Sequence, residues 1–206
     1  MTPKQPLVIK EASFVLSVPD VRALPAPTFA ELVMAGKSNV GKSSLINTIV
    51  GRQALARVSS TPGCTRGINV FRIQLSDIML HLVDLPGYGY AQRSKQERRA
   101  WGPMIEGYLR QRVGLRLVCV IVDIRRGMSE EDEQLVDFLD NLGHPSLLIA
   151  TKLDKLPKAQ QKVALAALRR SSRREVYGFS SVTRDGKGAL LERLALAATG
   201  GVATQA

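Results

Sequence analysis

Two cysteines in 206 residues, Cys64 and Cys119, cannot make a disulfide framework. No CxxC pair or Cys/His cluster suggests zinc, and His81 and His144 are too isolated to suggest catalysis or a metal site. Aromatic residues are only 5% of the chain, and no aromatic RNA-recognition signature is present. No apolar run approaches the roughly 20 residues needed to span a bilayer. The N-terminal MTPKQPLVIKEASF lacks the apolar core of a signal peptide, and the C-terminal GGVATQA carries no prenylation box. These absences predict a cytoplasmic, reducing setting and no membrane anchor. Acidic residues are also scarce. Asp plus Glu is 18 against 29 Lys plus Arg, a net charge of +11 with a pI near 10.1. That surplus points to a polyanionic partner, nucleic acid or an anionic surface, and says nothing about fold.

What is present is an ordinary globular composition, 45% hydrophobic and 23% charged. A chain of this length can bury about 70% of its unfolded surface as one domain. Residues 1–28 hold five prolines and read as an extended lead-in, with a short strand near Leu7–Ile9. Leu32–Ala35 reads as a buried strand, and Ser43–Val50 as a helix closed by Gly51. Residues 52–67 carry loop chemistry. Ile68–Leu75 and Ile78–Val83 fit a hairpin about Ser76-Asp77. After a second irregular stretch at 86–94, helices are expected at Lys95–Arg112, Ser129–Leu142, Lys158–Arg170 and Gly188–Ala198. Strands at Leu115–Val122, Leu147–Ala150 and Val176–Phe179 alternate with them. Ser129 and Asp132 have the spacing of a capping box. Alternating strands and helices imply a layered α/β fold with a mostly parallel sheet.

Three motifs carry chemistry. Gly36-Lys37-Ser38-Asn39-Val40-Gly41-Lys42-Ser43, followed by Ser44, is GxxxxGK[ST]. Its glycines let backbone N–H groups turn toward phosphate oxygens, Lys42 neutralises β- and γ-phosphate charge, and the Ser43 hydroxyl suits Mg²⁺. A chance match in a chain this long is roughly a 1% event. Asp84-Leu85-Pro86-Gly87 ends the next-but-one strand. There a carboxylate can hold Mg²⁺ through water, and the Gly87 N–H can sense a γ-phosphate. Thr151-Lys152-Leu153-Asp154 follows a later strand. A carboxylate at Asp154 can accept from guanine N1–H and the 2-amino group, a donor pair that adenine lacks, while the stem of Lys152 lies against the base.

In this order and spacing the motifs resemble the G1, G3 and G4 boxes of the translation-factor-related GTPases. The wording GKSNVGKSSLIN, TPGCTRGINVF, VDLPGYGYA and TKLDK is similar to the EngB/YsxC (YihA-type) ribosome-biogenesis GTP-binding proteins, from about Pro25 to Leu194. The resemblance implies a three-layer P-loop NTPase of the Ras-like type. It would have a six-stranded sheet with one antiparallel strand and about five flanking helices. The G domain would span 29–199, with 200–206 a flexible tail. It implies GTP hydrolysis to GDP and phosphate with Mg²⁺, as a switch in assembly of the large (50S) ribosomal subunit. Ribosomal RNA and ribosomal proteins would be partners, the chain a monomer, and cell division and septation dependent on it.

By the same resemblance, Thr65 in the stretch Gly63, Cys64, Thr65, Arg66, Gly67 is the switch threonine that binds Mg²⁺ in the triphosphate state. Thr61 is its rival. Ser180-Ser181-Val182 corresponds to the G5 box, whose backbone meets the guanine oxygen. Thr151 departs from the commoner asparagine, which predicts a weaker hold between G4 and the P-loop. Lys42, Thr65 and Gly87 would serve the transferring phosphoryl group directly. Two readings stand for Asn39: it closes the turn, or, as in related GTPases with this asparagine, it holds a potassium ion where an arginine finger would otherwise reach. An in-cis finger at Arg66 is a lesser alternative.

Tyr88 occupies the position where Ras-like proteins carry the water-positioning glutamine. A phenol with a reference pKa near 10 is a poor base at neutral pH. Slow intrinsic turnover follows, near or below the ~10⁻⁴ s⁻¹ scale of unassisted Ras. The surplus charge is segregated. Arg93, Lys95, Arg98, Arg99, Arg110, Arg112 and Arg116 face only Glu97 and Glu106, while Lys158, Lys162, Arg169, Arg170, Arg173 and Arg174 face no acid. Ser129–Asp140 holds six acids and no base. Basic segments of this kind fit docking on RNA phosphates, or simple solvated faces. Three rival functions remain open from the sequence: an ATP-using P-loop kinase, a non-enzymatic nucleotide-gated RNA-binding module, and a membrane-traffic GTPase.

Overall fold

The computed structural model describes residues 6–52, 55–56, 67–88 and 95–201, of which 95–101 by backbone alone. Strand β5 (Leu115–Asp123) shows what organises them. Successive strand residues face opposite sides. Here both sets are apolar and buried: Leu117, Cys119 and Ile121 join one core, Val118, Val120 and Val122 the other. A strand of this kind has to be covered on both faces.

The other elements are β1 (Ile9–Val18), β2 (Ala30–Gly36), α1 (Lys42–Val50), β3 (Ile68–Leu75), β4 (Ile78–Asp84), α2 (Lys95–Gln111), α3 (Glu130–Asn141), β6 (Ser146–Thr151), α4 (Lys158–Ser172), β7 (Val176–Gly178) and α5 (Lys187–Ala198). They form one sheet in the order β1-β3-β4-β2-β5-β6-β7. Strand β3 runs antiparallel to both β1 and β4, and the central and right-hand pairs are all parallel. Helices α1 and α5 cover one face through Leu45, Ile46, Ile49, Leu190, Leu191 and Leu194. Helices α2, α3 and α4 cover the other, with Tyr108, Leu109, Leu135, Leu139 and Leu168 buried against it.

The three layers and the single reversed strand agree with the sequence reading; the strand count does not. There are seven strands, not six. The extra one is β1, ten residues long where a short strand at Leu7–Ile9 was expected. Its signal is blurred for two reasons. Only Ala12 is fully buried, so no apolar alternation shows. Two register shifts, between Ile9 and Glu11 and between Phe14 and Leu16, also break the period of two.

Glu31, near the start of β2, is buried to 1% exposure. It accepts a hydrogen bond from Tyr108 Oη at 2.6 Å and from Arg112 Nε at 3.0 Å, and pairs with a second Arg112 nitrogen. Arg112 also donates to the Pro25 carbonyl at 2.8 Å. Burial first, then the adjacent carboxylate, raise the Tyr108 hydroxyl well above its ordinary pKa. Arg112 therefore serves inside the fold and does not belong to a surface that meets RNA. Arg110 is similarly engaged, 5.1 Å from the centre of the Phe138 ring. Removing one partner of a buried pair leaves the other uncompensated. Glu31→Ala is expected to lower unfolding free energy by about 3–5 kcal/mol in urea titration; a change below about 1 kcal/mol would show that this network does not hold α2 to the sheet.

Candidate nucleotide-binding site

The carboxyl ends of β2, β4, β5 and β6 lie along one edge because those strands are parallel. In open α/β sheets ligands gather at that edge. The described residues of the three motifs sit at the ends of those strands and in the segments that follow them.

Gly36 ends β2, and Gly41 turns the chain into α1 with φ of +103°, a conformation closed to residues with a side chain. Lys42 is the first residue of α1 and buried, and its Nζ pairs with the Asp84 carboxylate at the end of β4. Ser43 and Ser44 follow, half-buried on the first turn. The segment after Asp84 is zipped onto the end of β2 and the start of the loop that follows it. Leu85 N–H donates to Met34 O at 3.1 Å, Tyr88 N–H to Gly36 O at 3.3 Å, and Ser38 N–H to Tyr88 O at 3.0 Å. A β-carbon on Gly87 would lie 3.1 Å from the Ser38 nitrogen, so only glycine fits comfortably there.

The third motif is fastened to the same loop. Thr151 is buried, and its hydroxyl lies 2.5 Å from Val40 O and 3.0 Å from Val122 O. The threonine side chain thus reaches the P-loop carbonyl directly. Lys152 adopts φ of +59° and donates to Asn39 O at 2.8 Å. Asn39 itself has φ of +65°, suited to closing a turn. Leu153 is buried, and its N–H donates to Phe179 O. Asp154 accepts from Ser180 Oγ at 2.7 Å, and that bond chiefly holds its carboxyl below the ordinary range. Ser180 Oγ in turn accepts from the N–H groups of Val182 and Thr183. Ser180 is buried, Ser181 half-buried and Val182 exposed. Gly67 stands just before β3. Thr61, Gly63, Cys64, Thr65, Arg66, Tyr90 and Arg93, with the side chains of Lys95, Arg98, Arg99 and Trp101, lie outside the described residues.

Three contributors escaped the sequence reading. Asp123, ending β5, receives Arg125 Nε at 2.9 Å, Arg125 Nη2 at 2.6 Å and Lys152 Nζ at 3.0 Å. Burial pushes its carboxyl upward, but the bonds from Arg125 and Lys152 outweigh it and leave the group far below the ordinary range. Its signal was an aspartate closing an apolar strand, as Asp84 does. Asp132 closes the expected capping box with Ser129 and also accepts from Tyr88 Oη at 2.5 Å. Glu131 pairs with Lys37 at 3.0 Å. The first turn of α3 thus holds both the P-loop and the segment after Asp84.

Burial, and then Asp132, raise the Tyr88 hydroxyl well above its ordinary value. That hydroxyl is fully protonated at neutral pH and directed to α3. Tyr88→Phe is expected to cost about 1–3 kcal/mol of stability while leaving the pH dependence of GTP hydrolysis unaltered. A profile that lost an ionisation in the variant would make the phenol the base.

A family model described as 50S ribosome-binding GTPase matches residues 31–152. A probable GTP-binding protein EngB from Streptococcus pyogenes serotype M28 is 45% identical over 190 residues, 90% of this chain and 94% of that one. One from Pelobacter propionicus is 45% identical over 186 residues, covering 89% and 91%. Among solved structures, a probable GTP-binding protein engB superposes with a TM-score of 0.66 at 22% identity, over 83% of this chain and all of that one. Era in complex with MgGDPNP and nucleotides 1506–1542 of 16S ribosomal RNA gives 0.71 at 19% identity, over 86% and 59%. With the P-loop, the strand-ending aspartate and Thr151–Asp154 gathered on one sheet edge, the chain belongs to the EngB family of GTP-binding proteins, P-loop GTPases of the α/β class.

Proposed function

We propose that this GTPase acts as a conformational switch in assembly of the large ribosomal subunit. The observation that carries the reading is the family match, described as 50S ribosome-binding GTPase, over the residues that hold Lys42, Asp84 and Thr151. The G domain is taken as 29–199, with the lead-in 1–28 adding β1 as an edge strand and 200–206 as a tail. The chain would work in the cytoplasm as a monomer, with ribosomal RNA and ribosomal proteins as partners. Effects on cell division and septation would follow from ribosome supply.

Hydrolysis of GTP by water to GDP and phosphate is read from the same residues. The Lys42 ammonium exchanges Asp84 for a phosphate oxygen, and Ser38 N–H gives up Tyr88 O as the γ-phosphate arrives. Gly87 N–H then binds that phosphate. Asp154, oriented by Ser180, accepts from guanine N1–H and its 2-amino group, and Lys152 lies along the base. The backbone of Ser180–Val182 meets the guanine oxygen. Ser43 and Asp84 supply an alcohol and a carboxylate, hard oxygen donors of the kind magnesium selects, Asp84 through water and Thr65 joining in the triphosphate state. Magnesium, when bound, would neutralise charge on the β- and γ-oxygens. With Tyr88 Oη held by Asp132, turnover is expected to be slow until a partner assists.

Asn39 is proposed as a ligand of a potassium ion that stabilises charge on the transferring group. GTP hydrolysis is then expected to be at least about tenfold faster in KCl than in NaCl; equal rates would leave Asn39 with the turn alone. For the ribosomal role, sedimentation with isolated subunits should show the protein on the large subunit with a non-hydrolysable GTP analogue, and much less with GDP. Absence from the large subunit in both states, or equal retention, would contradict the switch.

A further inference from the structure

At the end of the sheet opposite the nucleotide motifs, the turns from α3 to β6 and from α4 to β7 meet the end of α5 around a cleft of about 420 Å³. It lies about 23 Å from the nucleotide edge, counted along β5 from Arg116 to Asp123. Arg116, Arg173, Arg174 and Arg193 line it, with only Asp140 and Glu175 to oppose them. Arg174 pairs with Asp140 and donates to Ser146 Oγ at 3.1 Å, and Arg193 pairs with Glu175 at 2.8 Å. Among the described residues, no carboxylate or carbonyl receives the side chain of Arg116 or Arg173, and both are exposed. Arg173 stands at φ of +54° after α4, where a glycine would be the easier residue.

From this cleft the charge continues along α4. Offsets of four and seven residues keep Lys158, Lys162 and Arg169 within one narrow stripe, and Arg173 follows at the C-cap. Over 15 residues that stripe is about 22 Å long, and α4 carries no acid. Beside His144 and Pro145, the cleft lining includes no Phe, Tyr or Trp to anchor a protein partner. Its one ring for a base to stack on is His144, and that ring is tied to Leu109 O at 2.6 Å. What remains is a row of cations led by guanidinium forks, whose geometry matches phosphate.

We propose that this cleft and stripe dock an RNA sugar–phosphate backbone, without regard to base sequence, while the nucleotide is held at the other end. The proposal rests on the ribosomal reading above and names the surface that would serve it. The plain alternative is that the arginines only neutralise the carbonyl ends of α3, α4 and α5.

The test is filter binding of full-length protein with a non-hydrolysable GTP analogue to 23S ribosomal RNA, from 50 to 200 mM KCl. The variants are Arg116→Gln with Arg173→Gln, and separately Arg173→Gly, which relieves the backbone and keeps the fold. The double variant is expected to bind about tenfold or more weakly at 100 mM salt, with a salt slope shallower by about two. Its melting temperature and GDP affinity should stay at wild-type values, and Arg173→Gly should weaken RNA binding at equal or higher melting temperature. Wild-type RNA affinity in both variants would overturn the proposal. So would variants that bind RNA normally but leave the large subunit, which would assign the cleft to an acidic protein. Wild-type protein that binds no RNA, yet sediments with subunits, would overturn this surface and spare the switch; failure in both assays would remove the ribosomal reading itself.

Discussion

A buried ammonium needs a counter-charge, and that requirement organises the nucleotide edge. Lys42 enters at the start of α1 with its head group out of water, and the Asp84 carboxylate comes from the end of a different strand to meet it. Neither charge could be left alone in that position. The pair therefore fixes the P-loop against β4. On the proposed reading the same two groups would meet a phosphate and a cation. Around this pair, Thr151 and Lys152 bind the P-loop from the β6 side through Val40 O and Asn39 O. The result is a loop fastened at both flanks.

How much of this was readable beforehand depended on whether a residue's chemistry is local or borrowed. GxxxxGKS, DLPG and TKLD carry their geometry in their own backbone, so strand-loop spacing alone located them. The doubly buried strands were legible because both faces of β5 are apolar. Strand β1 was not, since an edge strand with one buried residue and a broken register has little periodicity to show. Asp123, Glu131 and Asp132 were missed for another reason. Each acts only through a residue far along the chain: Asp123 through Lys152, Glu131 through Lys37, Asp132 through Tyr88. In sequence they read as an ordinary strand end and an acidic helix start. Arg112 misled in the opposite sense, because a run of arginines looks like surface until the buried Glu31 is seen.

The segregated charge then acquires a division of labour. Acids at the start of α3 are committed to the P-loop side, where they hold Lys37 and Tyr88. At the far end of the sheet Arg174 and Arg193 are paired with acids, while Arg116 and Arg173 are exposed and, among the described residues, meet no acid. Nucleotide and polyanion would therefore meet opposite ends of one rigid sheet, and neither would compete for the other's cations.

The central claim is that one pocket grips a triphosphate through Lys42 and reads guanine through Asp154. Calorimetric titration of the purified chain with GDP and with ADP, repeated for Asp154→Ala, tests it most directly. Two hydrogen bonds to a carboxylate are worth roughly 3 kcal/mol or more together, so GDP should bind at least about 100-fold more tightly than ADP, and the variant should lose that preference. Equal affinity of the wild-type chain for the two nucleotides would contradict it.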